Sequence, residues 1–196
     1  MSRAHSKAAR WADSIAYLKA AVSDQEPVDM ELSHEDSPVL RDLGNGLVVA
    51  YLVDEGEGFA YVQYRDLQAA GVSEIELHRA AIANLSDLAA THLKVQPYGQ
   101  IFAVFMEGNF EASVLLLDDV WDRALKDYTP RGVVVACPAR DVLAFGDAGS
   151  EEALSELRGV VRRLRDAGGD HLLTFSLYRR ESGQWRALPR GGEAGH

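Results

Sequence analysis

Two carboxylates and an arginine, Glu111, Asp141 and Arg140, stand where apolar runs begin or end. Glu107-Gly108-Asn109-Phe110-Glu111-Ala112-Ser113 leads into Val114–Leu117, and Val133–Cys137 runs into Pro138-Ala139-Arg140-Asp141. Charged residues at the ends of buried strands often mark sites, because strand ends open onto the crevice at a sheet's edge. Two carboxylates there can divide acid and base work if their surroundings separate their pKa values. Arg140 would hold an anionic group beside them. That chemistry is a small hydrolase-type activity. The competing reading is structural: Asp141 caps the turn after Pro138 and pairs with an arginine, since polar groups at strand ends more often satisfy backbone.

Other chemistries have weaker grounds. The six histidines, at 5, 34, 78, 92, 171 and 196, show no H-x-H, H-x-x-x-H or H-E-x-x-H spacing, so the convergent ligand set of a zinc site is missing. Asp118, Asp119 and Asp122 crowd one predicted helix start, where the helix dipole accounts for them more simply than a hard cation does. No metal and no other cofactor is expected. Cys137 could be a nucleophile with Arg140 lowering its pKa, but a cysteine closing an apolar run is usually a small core residue. There is no G-x-S-x-G elbow, no Walker pattern and no G-x-G-x-x-G after a strand.

A second feature is electrical. Ten carboxylates lie between Asp24 and Glu57 against one base, Arg41, so this stretch carries nine of the chain's ten net negative charges. Asp24, Glu26, Asp29, Glu31, Glu35, Asp36, Asp54, Glu55 and Glu57 are the candidate partner-binding residues, with Asp42 among them in sequence. The hydrophobics Val28, Met30, Leu32, Val39 and Leu40 are interleaved with them. An acidic face with apolar anchors suits a basic protein partner, where complementary charge speeds encounter and fixes orientation. The expected function is therefore a non-enzymatic binding protein, with an inhibitor or immunity-type partner of a basic toxin as one form. The competing reading is a solvated acidic arm. Nucleic acid is not an expected partner at a pI near 5.0, since phosphate contacts need clustered Lys and Arg. The sole basic cluster, Arg158, Arg162, Arg163 and Arg165, closes a predicted helix, where the dipole favours it.

The elements that must position these residues follow from pattern. Residues 3–22 carry a helical period through Trp11, Ile15, Leu18 and Val22. Ser23–Ser37 reads as a linker. Leu47–Val53 and Phe59–Tyr64 read as a hairpin whose tip, Asp54–Gly58, presents three acids. Ser73-x-x-Glu76 is a capping box opening a helix to about Leu93. Ile101–Met106, Gly132–Cys137 and Asp141–Phe145 read as strands, Glu111–Leu116 as a strand or the run into a helix, and Asp119–Tyr128 as a helix. Ser150 opens a last helix before Gly168-Gly169, and Leu172–Tyr178 with Gln184–Leu188 makes a final hairpin. The expected fold is α+β, with mixed α/β as the alternative: a largely antiparallel sheet with helices packed on it. The expected organisation is a helix and acidic arm over residues 1–37, one domain over 38–188 and a disordered tail over 189–196. One cysteine, no signal-peptide pattern and no long apolar run point to a soluble cytoplasmic protein without a membrane partner.

The block from about Pro38 to Leu188 resembles the YtpQ-like family of bacterial proteins of unknown function. The resemblance is carried by Leu47–Tyr51 (LVVAY), Ala83-Asn84-Leu85, Asn109–Ser113 (NFEAS), Trp121 and Cys137–Asp141 (CPARD). It covers about three quarters of the chain and implies no particular activity.

Overall fold

A computed structural model describes residues 7–21, 33–169 and 171–189. The chain divides into two compact units, with the boundary in sequence between Leu88 and Ala89. The fold is α+β, with two antiparallel sheets. Among the described residues no helix is long and apolar enough to cross a membrane.

The first unit is built on β3 (Leu47–Asp54). One side of it pairs with β1 (Ile15–Ala20) along its length. Along the other, β2 (Leu40–Gly44) pairs first and β4 (Phe59–Tyr61) after it. The helix expected over residues 3–22 is corrected here. Only a 3-10 turn, Lys7–Asp13, precedes the strand Ile15–Ala20. The run Ile-Ala-Tyr-Leu fits a strand buried on both sides as well as a helix stripe, and short apolar runs do not separate the two by period. The described part of the expected N-terminal arm therefore contributes a strand to the sheet. Residue 22 of the expected helix, residues 23–32 of the expected linker and 190–196 of the expected tail lie outside the described residues.

Asn45 and Gly46, at φ 55° and 76°, make the tight turn from β2 to β3. That left-handed pair is what a two-residue hairpin with the sheet's twist requires. After β4 come α1 (Tyr64–Ala70) and α2 (Glu74–His92). The capping box is present at α2: Glu76 accepts from the Ser73 N–H at 2.9 Å, and Ser73 Oγ accepts from the Glu76 N–H at 3.3 Å. Asn84, on α2, donates to the carbonyls of Ala12 and Ser14, both at 2.8 Å, and so holds the segment before β1.

The second unit carries a sheet in the order β10-β9-β7-β8-β6-β5. Its strands are β5 (Lys94–Tyr98), β6 (Ile101–Phe105), β7 (Val133–Ala139), β8 (Val142–Asp147), β9 (Leu177–Glu181) and β10 (Gln184–Ala187). β5 was not expected, because Pro97 reads as a helix stop. It sits instead in an edge strand, where a missing N–H costs little. On one sheet face α3 (Glu151–Ala167) buries Ala153, Leu157 and Val161 against Ile101, Val134, Ala136, Ala144 and Leu177. Ser150 caps α3 by accepting from Ala153 N–H at 3.2 Å.

The other face holds Phe102, Phe145, Trp121 and Trp185, with Trp121 edge-on to both Phe145 (5.5 Å) and Trp185 (5.2 Å). The segment covering this face is helical in short pieces, not one regular helix over Asp119–Tyr128. It is a 3-10 turn (Ala112–Leu116), a π turn (Val120–Ala124) and a second 3-10 turn (Lys126–Tyr128). Its carbonyls are partly answered by tryptophan: Trp121 Nε1 donates to Val114 and Trp185 Nε1 to Leu115, each at 2.9 Å. Arg180 ties it to β9, donating to Asp118 Oδ1 and both oxygens of Asp122 at 2.9 Å, with Trp185 beneath its guanidinium. Asp119, the third acid of the cluster, pairs with Arg123 at 2.9 Å.

Two outcomes follow. Leu157→Ala removes a fully buried side chain from the α3 seam and should cost about 2–5 kcal/mol, read by denaturant melting of the second unit's tryptophan signal. The Arg180 hydrogen bonds hold the Asp122 carboxyl below its ordinary 3.8. A depressed folded-state pKa gives stability that is complete above the unfolded value and fades as pH falls through the folded one. The gap in melting temperature between the native chain and Asp122→Asn should therefore be present at neutral pH and close below about pH 4.

Candidate functional site

In an antiparallel pair, directly opposed residues place their side chains on the same side of the sheet. The pairing of β3 therefore sorts the first unit into two faces. Val49, Tyr51 and Val53 point to one, and all are buried. On that side Tyr51 Oη and His78 Nδ1 are 3.1 Å apart. Burial first, then the Arg41 charge, holds the His78 pKa below its ordinary value. Burial pushes the Tyr51 hydroxyl up to about 12.

The other face collects Val48, Ala50, Leu52 and Asp54 with their partners, and its middle is buried at Ala50, Leu52 and Tyr17 of β1. Asp42 opposes Val48, Leu40 opposes Ala50, Tyr61 opposes Leu52 and Phe59 opposes Asp54. Leu40, Phe59 and Tyr61 are 42%, 44% and 40% exposed, unusual for large apolar side chains sharing one sheet face. Lys19, opposite Val48 on β1, is a cation on the same face and donates to Tyr61 Oη at 2.8 Å.

The predicted acidic residues are placed as follows. Asp24, Glu26, Asp29 and Glu31 lie outside the described residues, as do Val28, Met30 and Leu32. Glu35 and Asp36 sit where the chain is pinned beside Gln63–Arg65: Arg65 N–H donates to the Glu35 carbonyl (2.9 Å), and Gln63 Nε2 to the Asp36 carbonyl (2.7 Å). Asp36 is paired with Arg65 at 2.7 Å, and Glu55 with Arg10. Asp54 and Asp42 each accept a backbone N–H in a turn, from Gly56 and Gly44. Asp42, Asp54, Glu57 and Glu35 have no ion-pair partner among the described residues.

The expectation of one coherent patch needs revising on two counts. Two of its described members are neutralised by arginines. Val48, which Asp42 opposes, and Asp54 are also six residues apart along β3, roughly 20 Å at strand rise, beyond the screening length of about 8 Å in physiological salt. Of the expected anchors, Val39 is 1% exposed and is core, whereas Leu40 does face solvent. Phe59 and Tyr61 were missed, although the alternation of Phe59–Tyr64 against Leu47–Val53 would have placed them opposite Asp54 and Leu52.

In the second unit Glu111 and Asp141 line one cavity of about 420 Å³, together with Thr91, His92, Lys94, Phe105, Met106, Glu107 and Gly108. Arg140 is not on that lining. It is engaged through its main chain, its N–H donating to the His171 carbonyl (3.2 Å) and its carbonyl accepting from Ala112 N–H (3.0 Å). Asp141 is exposed at the turn from β7 to β8. Glu111 is 3% exposed, and its Oε1 accepts from Met106 N–H (2.7 Å) and Gly108 N–H (2.8 Å). Glu107 and Gly108, at φ 56° and 78°, turn the backbone so that both donors reach that oxygen. A left-handed Glu107 costs about 1–2 kcal/mol, and the same turn brings its side chain to His92 Nδ1 at 2.9 Å.

Two buried side-chain atoms lack a partner among the described residues, Glu111 Oε2 and Arg180 Nη1. The Arg180 charge is already answered by Asp118 and Asp122. Among the described residues no cation is paired with Glu111. Glu107, His92, Lys94 and Phe105 were not foreseen. Only Glu107, in the same polar block as Glu111, carried a signal in sequence. No group of three or more His, Cys, Asp or Glu suited to a metal ion occurs among the described residues.

Cys137 is fully buried within β7, and burial alone pushes its thiol up to about 12. That environment is opposite to one that makes a thiolate nucleophile. A disulfide exchange reagent near pH 8 should leave Cys137 untouched in the native chain and modify it only as fast as the second unit unfolds. Rapid stoichiometric modification would contradict the buried placement.

Comparison of the chain with protein-family models, curated proteins and solved structures finds no match.

Proposed function

We propose that the chain is a non-enzymatic binding protein that recognises a basic protein partner through the β2–β4 face of its first unit. The observation that carries this reading is the exposure of Leu40, Phe59 and Tyr61 on one sheet face together with Asp42 and Asp54. Exposed apolar side chains scattered singly need no explanation, whereas several on one face mark an interaction surface. The aromatic pair supplies the anchors typical of interface hot spots. The unpaired acids add sign: they favour a cationic partner and disfavour an anionic one. An inhibitor or immunity-type role against a basic enzyme is the form of this reading that fits the charge. The YtpQ-like resemblance adds no activity to it.

The two kinds of residue should fail differently. Asp42→Asn with Asp54→Asn should slow association with a captured partner by about tenfold while leaving dissociation nearly unchanged, and should flatten its salt dependence. Phe59→Ser should instead speed dissociation. The measurement is surface-based kinetics on the partner captured from the native host, at low and high salt. A partner held equally by the native chain and by both variants, or one indifferent to ionic strength, contradicts the proposal.

A further inference from the structure

The cavity at Glu111 has no role in that reading and belongs to the other unit. Its central feature is an imbalance on a single carboxylate. Oε1 is taken by two backbone N–H groups, while Oε2 is buried and has no partner among the described residues. Around it the lining is acidic: Glu107, Glu111 and Asp141 face one lysine, Lys94, and His92 is taken by Glu107. A volume of about 420 Å³ suits a small organic molecule.

We propose that this cavity binds an alkylammonium group, with its nitrogen on Glu111 Oε2. The geometry selects among cations. A guanidinium binds a carboxylate best through both oxygens side by side, and one oxygen here is already occupied. An ammonium presents three donors from a single point, so one reaches Oε2 while the others face the Asp141 and Glu107 carboxylates. Phe105, half exposed, and Met106, fully buried, supply apolar surface for the alkyl stem. Oε2 is shut off from solvent, so entry requires the lining to open. The His92–Glu107 pair is one exposed part of that lining. The ammonium arrives on a free amine or on a lysine side chain of a partner, and the chemistry at Glu111 is the same.

Amide NMR titration of the full chain with n-butylammonium and with N-acetyl-lysine amide tests this, with n-butanol as the uncharged control. Saturable shifts at Met106, Gly108, Glu111 and Asp141 are expected for the ammonium probes and not for butanol. Glu111→Gln keeps an oxygen for the Met106 and Gly108 donors and puts an amide in place of Oε2. It should weaken ammonium binding by about tenfold or more. If that variant does not fold, Asp141→Asn, at an exposed turn, must weaken binding by about threefold. Tighter binding of the lysine amide than of butylammonium assigns the ligand to a partner's side chain, and the reverse assigns it to a free amine. The proposal is overturned if neither probe binds, if butanol shifts the same amides equally, or if a folded Glu111 or Asp141 variant binds as tightly as the native chain.

Discussion

The register of β3 is the constraint on which the first unit depends. Three strands pair with this one segment, and side chains alternate faces with a period of two. Each pairing therefore assigns a whole row of residues at once. Val49, Tyr51 and Val53 go to the core, and Leu40, Asp42, Phe59 and Tyr61 join Asp54 outside it. A slip of one residue would carry Val49, Tyr51 and Val53 to the opposite face and part the Tyr51 hydroxyl from His78. Charge and exposed apolar side chains thus share a face through the register that keeps this contact.

The second unit depends on an analogous device of smaller size. One oxygen of Glu111 gathers the N–H groups of Met106 and Gly108 and so closes the loop that leaves β6. The next residue, Ala112, donates to Arg140 and joins that loop to the β7–β8 turn. Tryptophan indoles and the Arg180 guanidinium then hold the irregular segment that follows across the aromatic face of the sheet. The indoles answer the carbonyls of Val114 and Leu115 in the first 3-10 turn, and the guanidinium answers the carboxylates of Asp118 and Asp122.

Most strands and both long helices were legible in sequence, because their signals are local. The Ser73 and Ser150 caps, the Asn45-Gly46 turn and the β-branched runs at 47–53 and 133–137 each fix structure within a few residues. What was not legible depends on distant partners. Ile15–Leu18 reads as a helix stripe until β3 is available to pair with it. Pro97 reads as a stop until an edge strand is there to tolerate it. The acidic stretch was visible as charge, but its pairing with Arg10 and Arg65 follows only from the tertiary fold, and the company of Phe59 and Tyr61 only from the sheet register. Glu111 and Asp141 were singled out together and do line one cavity. The partners that shape it, His92 and Lys94, lie far away in sequence and gave no signal.

The central claim is that exposed acid and apolar side chains share one sheet face of the first unit, around its buried middle at Ala50 and Leu52. Paramagnetic relaxation by soluble nitroxides, one cationic and one neutral, tests it most directly, because the ratio of their effects at each proton reports the local potential. The account predicts that both probes reach the side chains of Leu40, Phe59 and Tyr61, and that the cationic one is enriched there and at Asp42 and Asp54 relative to Val49 and Tyr51. Equal effects of the two probes at these positions, or protection of Phe59 and Tyr61 from both, would contradict it.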